Sequence, residues 1–200
     1  MTRPADPNLS SGGATLRRRA LDSARMLLEK TGAEGLHLRD IADKAGSAVA
    51  SLYYHFADKD ELLTELAMQG WRDLAAKIAR GIERGASAHR VDDASSAYLT
   101  FIQGHPQLYA LMQSRLILTG DGQARGAEQQ AYAVFRSSLD GDGRIPAAQV
   151  EGVALLLWVL GRGIAAAMLT ASDQDAGAAE QLRAKVLSGF GFLLSTGFRV

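Results

Sequence analysis

The sequence predicts an all-α protein of about nine helices, on three observations. Apolar residues recur at three- and four-residue spacing along most of the chain, no segment sustains period-two alternation, and glycine, proline or polar breaks punctuate the pattern at helix-sized intervals. With 200 residues and 47% apolar content, the chain has material for one sizeable core, or for a small domain fused to a larger one.

Residues 1–13, MTRPADPNLSSGG, are rich in Pro, Ser and Gly and contain no apolar run of signal-peptide length, so they read as a disordered tail. A first helix is predicted over about residues 14–31, where Leu16, Ala20, Ala24, Leu27 and Leu28 share one stripe; Gly32 and Gly35 end it. LRDIADKAG supplies a short second helix closed by Gly46, a residue suited to the left-handed position past a helix end, and AVASLYYHF a third. Asp58 with Glu61 forms a capping box that opens a fourth helix. Taken from Lys59 to Arg84, it is about 39 Å long at ~1.5 Å per residue, long enough to join two domains.

GASAHRVDD is a polar break, after which helical patterns resume at about 92–103, 106–118, 124–140, 147–170 and 174–196. Pro106 and Pro146 stand where first turns would begin. The apolar run 152–171 approaches membrane-spanning length but carries Arg162 near its middle, which favours a buried or interface helix over a lone span.

Composition narrows the chemistry. No cysteine is present, which removes disulfides, thiolate nucleophiles and Cys-based zinc sites and suits a reducing cytoplasm. Four histidines without a paired-carboxylate or H-x-x-E-H arrangement leave no recognisable catalytic set, so neither an enzyme nor a metal or cofactor site is expected. Net charge is zero, so any attraction to nucleic acid must be local.

Such a local feature lies within 38–56. Ala42, Gly46 four residues on, and Leu52 six after that, with apolar Ile41 and Ala45, have helix-turn-helix spacing. Placed every 100° around the third helix, Leu52, Phe56 and Ala48 share one face, and Ser47, Ala50, Ser51 and Tyr54 the opposite one. Tyr53 and Val49 flank the second face, which is free to meet a major groove. Lys59 and Arg39 sit in first helical turns, where a cation opposes the macrodipole unless a phosphate is bound. Arg17, Arg18 and Arg19 read as part of a flexible arm able to reach DNA backbone or minor groove, or else as a solvated helix face.

Residues 17–63, RRRALDSARMLLEKTGAEGLHLRDIADKAGSAVASLYYHFADKDELL, resemble the amino-terminal domain of the TetR family of transcriptional regulators, with RDIA, AG, LYYHF and DKDELL in order. The resemblance implies a homodimer on a roughly palindromic operator, usually a repressor released by a small ligand. By position, Tyr53, His55 and Lys59 match phosphate contacts, and Ser47, Ala48, Val49, Ala50, Ser51 and Tyr54 the base-reading segment. His37 stands where the family usually has Thr or Ser, Ser47 replaces an apolar residue, and Ala48 replaces a Ser or Thr cap. Without Arg, Asn or Gln in 47–56, base reading is expected to lean on thymine methyls, Tyr54 and DNA shape.

The expected division is a DNA-binding domain at 14–57 and a ligand-binding and dimerisation domain at 58–200. WVLGRG resembles a Trp-His-Gly subgroup of the family's carboxy-terminal domains, with Arg162 where the histidine is expected. Phe101, Tyr109, Met112, Tyr132, Phe135 and Trp158 are candidate lining for an effector cavity. Arg162, in an apolar helical run, needs a partner: a carboxylate on a neighbouring helix or the other subunit, or else an anionic or acceptor group on a mostly apolar effector. The helices within 147–196 are expected to pair between subunits. The competing expectation is a protein-interaction or ligand-independent regulator on the same fold.

Overall fold

The computed structural model describes residues 7–85, 88–118, 122–172 and 176–195. All regular structure among them is helical: α1 (Pro7–Thr31), α2 (Leu38–Ala45), α3 (Val49–Tyr53), α4 (Lys59–Arg84), α5 (Arg90–Gly104), α6 (Pro106–Leu118), α7 (Gly122–Ser137), a 3-10 turn (Ala147–Gln149), α8 (Val150–Ser172) and α9 (Ala176–Ser195). The chain divides into two compact units. The first takes residues up to Gly70 together with Gln107–Ala124, and the second takes Trp71–Pro106 and the remainder.

In the first unit, α1 packs on α2 and α2 on α3. Ala20, Leu21, Ala24 and Leu28 are buried on one side of α1, as helical periodicity requires. That helix begins at Pro7, so residues 7–13 are helical backbone rather than the expected tail. Proline's fixed φ suits a first helical turn, and its missing N–H costs nothing there. The part of the tail expected at 1–6 lies outside the described residues.

α2 buries Ile41, Ala42 and Ala45, and Gly46 follows at φ 64° and ψ 48°. A side chain there would strain the backbone, whereas glycine adopts that region freely. The Gly46 and Ser47 N–H groups donate back to Asp43 O at 3.2 Å and Ala42 O at 3.0 Å, closing the helix. α3 is shorter than expected, ending at Tyr53, although Phe56 N–H still donates to Leu52 O at 2.9 Å. Leu52 and Phe56 are buried as expected. Ala48 is not: it is exposed, because as the extended residue before α3 (φ −76°, ψ 148°) it does not follow the 100° helical rotation.

The start of α4 is fixed by the capping box. Glu61 N–H donates to Asp58 Oδ1 at 2.8 Å, and Glu61 Oε2 accepts from Ala57 N–H at 2.6 Å. α6 belongs to the same unit. Its first free N–H groups, on Gln107 and Leu108, donate to the two Glu29 oxygens at 3.1 Å each. Arg115, nearly buried, pairs with Asp60. Gly70 lets α6 approach α4, since a Cβ there would lie 2.6 Å from Met112 Sδ.

The second unit holds α5, α7, α8, α9 and α4 from Trp71 onward. Its core centres on Trp158, whose ring lies 5.5 Å from Tyr98, 5.6 Å from Phe135, 5.7 Å from Tyr132 and 6.3 Å from Trp71. The indole N–H donates to Glu128 at 2.8 Å. Asp142, with a side chain 3% exposed, accepts from Arg144 Nη2 at 2.7 Å and Nε at 3.0 Å, which fixes the connection from α7 to α8. Residues 147–170 are long and apolar enough to cross a membrane by composition. In this fold Val153, Ala154, Leu157, Trp158, Ala165 and Met168 bury one face of α8. Leu155, Leu156, Val159 and Leu160 are 44–57% exposed on the other.

Candidate nucleic-acid interface

Two helices and the αL turn between them present one continuous strip of side chains. Tyr54 is 88% exposed and Tyr53 55%. Ala48 and Ala50 are exposed, and Ser47, Val49, Ser51 and His55 are half-buried. The His55 ring stands edge-on to Tyr54, with centroids 5.3 Å apart at 88°. Leu52 and Phe56, spaced between these groups, anchor the strip from beneath. The expected base-reading residues Ser47, Ala48, Val49, Ala50, Ser51 and Tyr54 are thus all exposed or half-buried, as are the expected phosphate contacts Tyr53 and His55.

Lys59 is half-buried in the first turn of α4, and Arg39 is exposed in the first turn of α2. His37 precedes α2 and its side chain makes no capping hydrogen bond. The hydroxyl of Ser47 donates to Ala48 O at 3.2 Å, a weak local bond that leaves its oxygen able to accept. The chemistry offered by 47–54 is thus hydroxyl, methyl and phenol, with cations in the first turns of α2 and α4.

Of the two placements left open for Arg17, the structure has the helix face: it lies on α1, with its guanidinium carbon 5.2 Å from the Phe56 ring centroid and Nη2 3.4 Å from Glu65 Oε2. Cation–π and ion-pair contacts together hold it against the end of the third helix. Arg18, also on α1, pairs with Asp22 at 3.9 Å. Neither Phe56 nor Glu65 is near Arg17 in sequence, so periodicity gave no signal for this contact.

The residues expected to line an effector cavity fall into two sets. Tyr132, Phe135 and Trp158 come together in the second unit, where Phe101 is also buried. Tyr109 and Met112 are buried in the first unit, on α6, because that helix docks on Glu29, Asp60 and Gly70. The Tyr132 phenol, donating to Glu151 at 2.8 Å, is pushed up to about 12 by burial and by that carboxylate. In the second unit Ser95, Tyr98, Leu99, Phe135, Trp158 and Gly161, with Val186 and Leu187, line an apolar cavity of about 30 Å³. Tyr98, Leu99 and Gly161 were missed in the sequence because helical spacing marks them only as core. Arg162 is half-buried and does not line this cavity.

Residues 20–66 match the model of bacterial regulatory proteins of the tetR family. A solved structure of a protein of unknown function from Rhodococcus sp. RHA1 is 30% identical, with a TM-score of 0.71 over 88% of this chain and 93% of that one. The chain belongs to the TetR family. Among named relatives of this TetR chain, the HTH-type transcriptional repressor KstR2 of Rhodococcus jostii is 35% identical over 88 residues, 42% of each chain. The HTH-type nicotine-responsive transcriptional repressor HdnoR of Paenarthrobacter nicotinovorans is 32% identical over 81 residues, 38% of this chain and 42% of that one. The chain thus spans under half the length of these relatives.

Proposed function

We propose that this TetR-family chain is a cytoplasmic repressor that binds a palindromic operator as a homodimer and is released by a small, mostly apolar ligand. The observation that carries the DNA-binding reading is the exposed strip from Ser47 to Tyr54, held over buried Leu52 and Phe56 and flanked by Arg39 and Lys59. Methyl groups of Ala48, Val49 and Ala50 suit thymine methyls, and the serine hydroxyls and Tyr54 suit base edges or phosphates. Tyr53, His55, Arg39 and Lys59 take the backbone.

Dimerisation is assigned to residues 147–196. The exposed stripe Leu155, Leu156, Val159 and Leu160, with Phe192 65% exposed on α9, is an apolar surface of the kind that a second copy covers. Two copies reading successive major grooves need their recognition helices about 34–36 Å apart, or a multiple of that. Repression as the outcome is supported by the two repressors to which part of the chain is similar. Ligand release draws on the apolar cavity of the second unit and on the relative described as nicotine-responsive.

Binding to the intergenic DNA beside the gene, measured across salt concentrations, tests this. A specific site with a steep decline of log affinity in log salt is expected. Equal, weak binding to every duplex would refute it.

A further inference from the structure

One guanidinium stands beside the apolar cavity of the second unit. Val186 and Leu187 line that cavity from α9. Arg183 precedes them by three and four residues, which puts it on the same side of the helix. Its side chain is only 22% exposed. Nη1 donates to Glu180 at 3.1 Å, and Glu180 also accepts from Gln103 Nε2 at 2.8 Å. Nη2 reaches only neutral hydroxyls on α5, Thr100 at 3.3 Å and Ser96 at 3.5 Å. Nε is buried with no hydrogen-bond partner among the described residues.

A buried donor without an acceptor is costly, and more so on a charged group. Glu180 takes the Nη1 end, so the side-on Nε–Nη2 edge is the one left for a second acceptor. That edge matches a carboxylate through two parallel hydrogen bonds. Next to it, Tyr98, Leu99, Trp158 and Leu187 offer an apolar lining with no charged group.

The geometry points to an effector site between α5 and α9 for an amphipathic carboxylate, its head on the Nε–Nη2 edge of Arg183 and its apolar body in the adjoining cavity. This assignment rests on the ligand-released reading above, and it moves the anion partner from Arg162 to Arg183. The cavity of about 30 Å³ holds about one water, so the body enters by displacing lining side chains. Gly161 marks the tight wall: a Cβ there would lie 3.3 Å from the Tyr98 ring.

The intact protein has two tryptophans, and one of them, Trp158, lines the cavity. Its fluorescence is to be followed while adding decanoate, 1-decanol or decyltrimethylammonium. Decanoate is expected to bind at least tenfold more tightly than decanol, and Arg183→Gln to abolish that preference while leaving decanol binding intact. Gly161→Ala, which spares Arg183, is expected to weaken both and keeps the proposal testable if Arg183→Gln fails to fold. Equal binding of decanoate and decanol, preference for the ammonium, or a preference that survives Arg183→Gln overturns the site. Operator release is scored separately. Decanoate bound with operator retained supports the carboxylate site and sinks the ligand-released reading, whereas decanoate release undiminished in Arg183→Gln sinks the site.

Discussion

The Arg17 guanidinium lies over the Phe56 ring, 5.2 Å from its centroid, and ties the first helix to the end of the third. Its second partner is Glu65 on α4. We propose that these contacts make Arg17 a positioning residue for the strip that Phe56 anchors. Arg17→Met should weaken operator binding while leaving the salt slope as steep as in the parent protein, and Arg17→Lys should restore part of the affinity. A slope flattened by about 1 would mark a phosphate contact instead.

Lys59 and Tyr54 should separate in the opposite manner. Lys59→Ala is expected to weaken all duplexes alike and to reduce the salt slope by about 1, as for one lost phosphate contact. Tyr54→Ala, at the most exposed aromatic of the strip, should change preference among operator variants by about 1–3 kcal/mol at one base step. Binding titrations on a panel of single-base variants at several salt concentrations measure both.

Leu156→Glu with Val159→Glu places two charges on the exposed stripe of α8. These positions point away from Trp158 and the buried face, so the fold should survive. Sedimentation should show monomers at micromolar concentration, against dimers for the parent. A parent that sediments as a monomer at that concentration rules out the assigned interface.

The Asp142–Arg144 pair should set part of the acid stability. Hydrogen bonds from Arg144 hold the Asp142 carboxyl below the usual carboxylate range despite burial, with His89 3.5 Å away and Asp92 3.6 Å from Arg144 Nη2. Because the folded value is depressed, the stabilisation is present above the unfolded value of about 3.9 and is lost as pH falls through the folded one. Asp142→Asn should cost about 3 kcal/mol at neutral pH, since it leaves Arg144 without its buried partner. The gap between variant and parent in denaturant unfolding should narrow below about pH 4. A gap independent of pH would contradict the ion-pair account.

Local rules were enough for much of the first unit. Gly46 in the left-handed region, Asp58 and Glu61 as reciprocal caps, and buried Ile41, Leu52 and Phe56 each follow from residues within a few positions of one another. The limits of α4 were legible in full, from Lys59 to Arg84. Where the local rule was misapplied, the error was local too. Ala48 precedes its helix and so escapes the helical wheel, and α1 reaches back to Pro7 because proline opens helices as readily as it interrupts them.

The sequence by itself determined the helical class and the helix-turn-helix, because each depends on short-range spacing and backbone preference. Only the tertiary structure decided which distant groups meet. Arg17 found Phe56 and Glu65, Tyr109 and Met112 went with α6 to the first unit, and Arg183 on α9 met Ser96 and Thr100 on α5. Helical periodicity tells which face of a helix is apolar, but it is silent on which partner that face meets. A guanidinium's partner is fixed by the packing of helices far apart in the chain, which no window of neighbouring residues records.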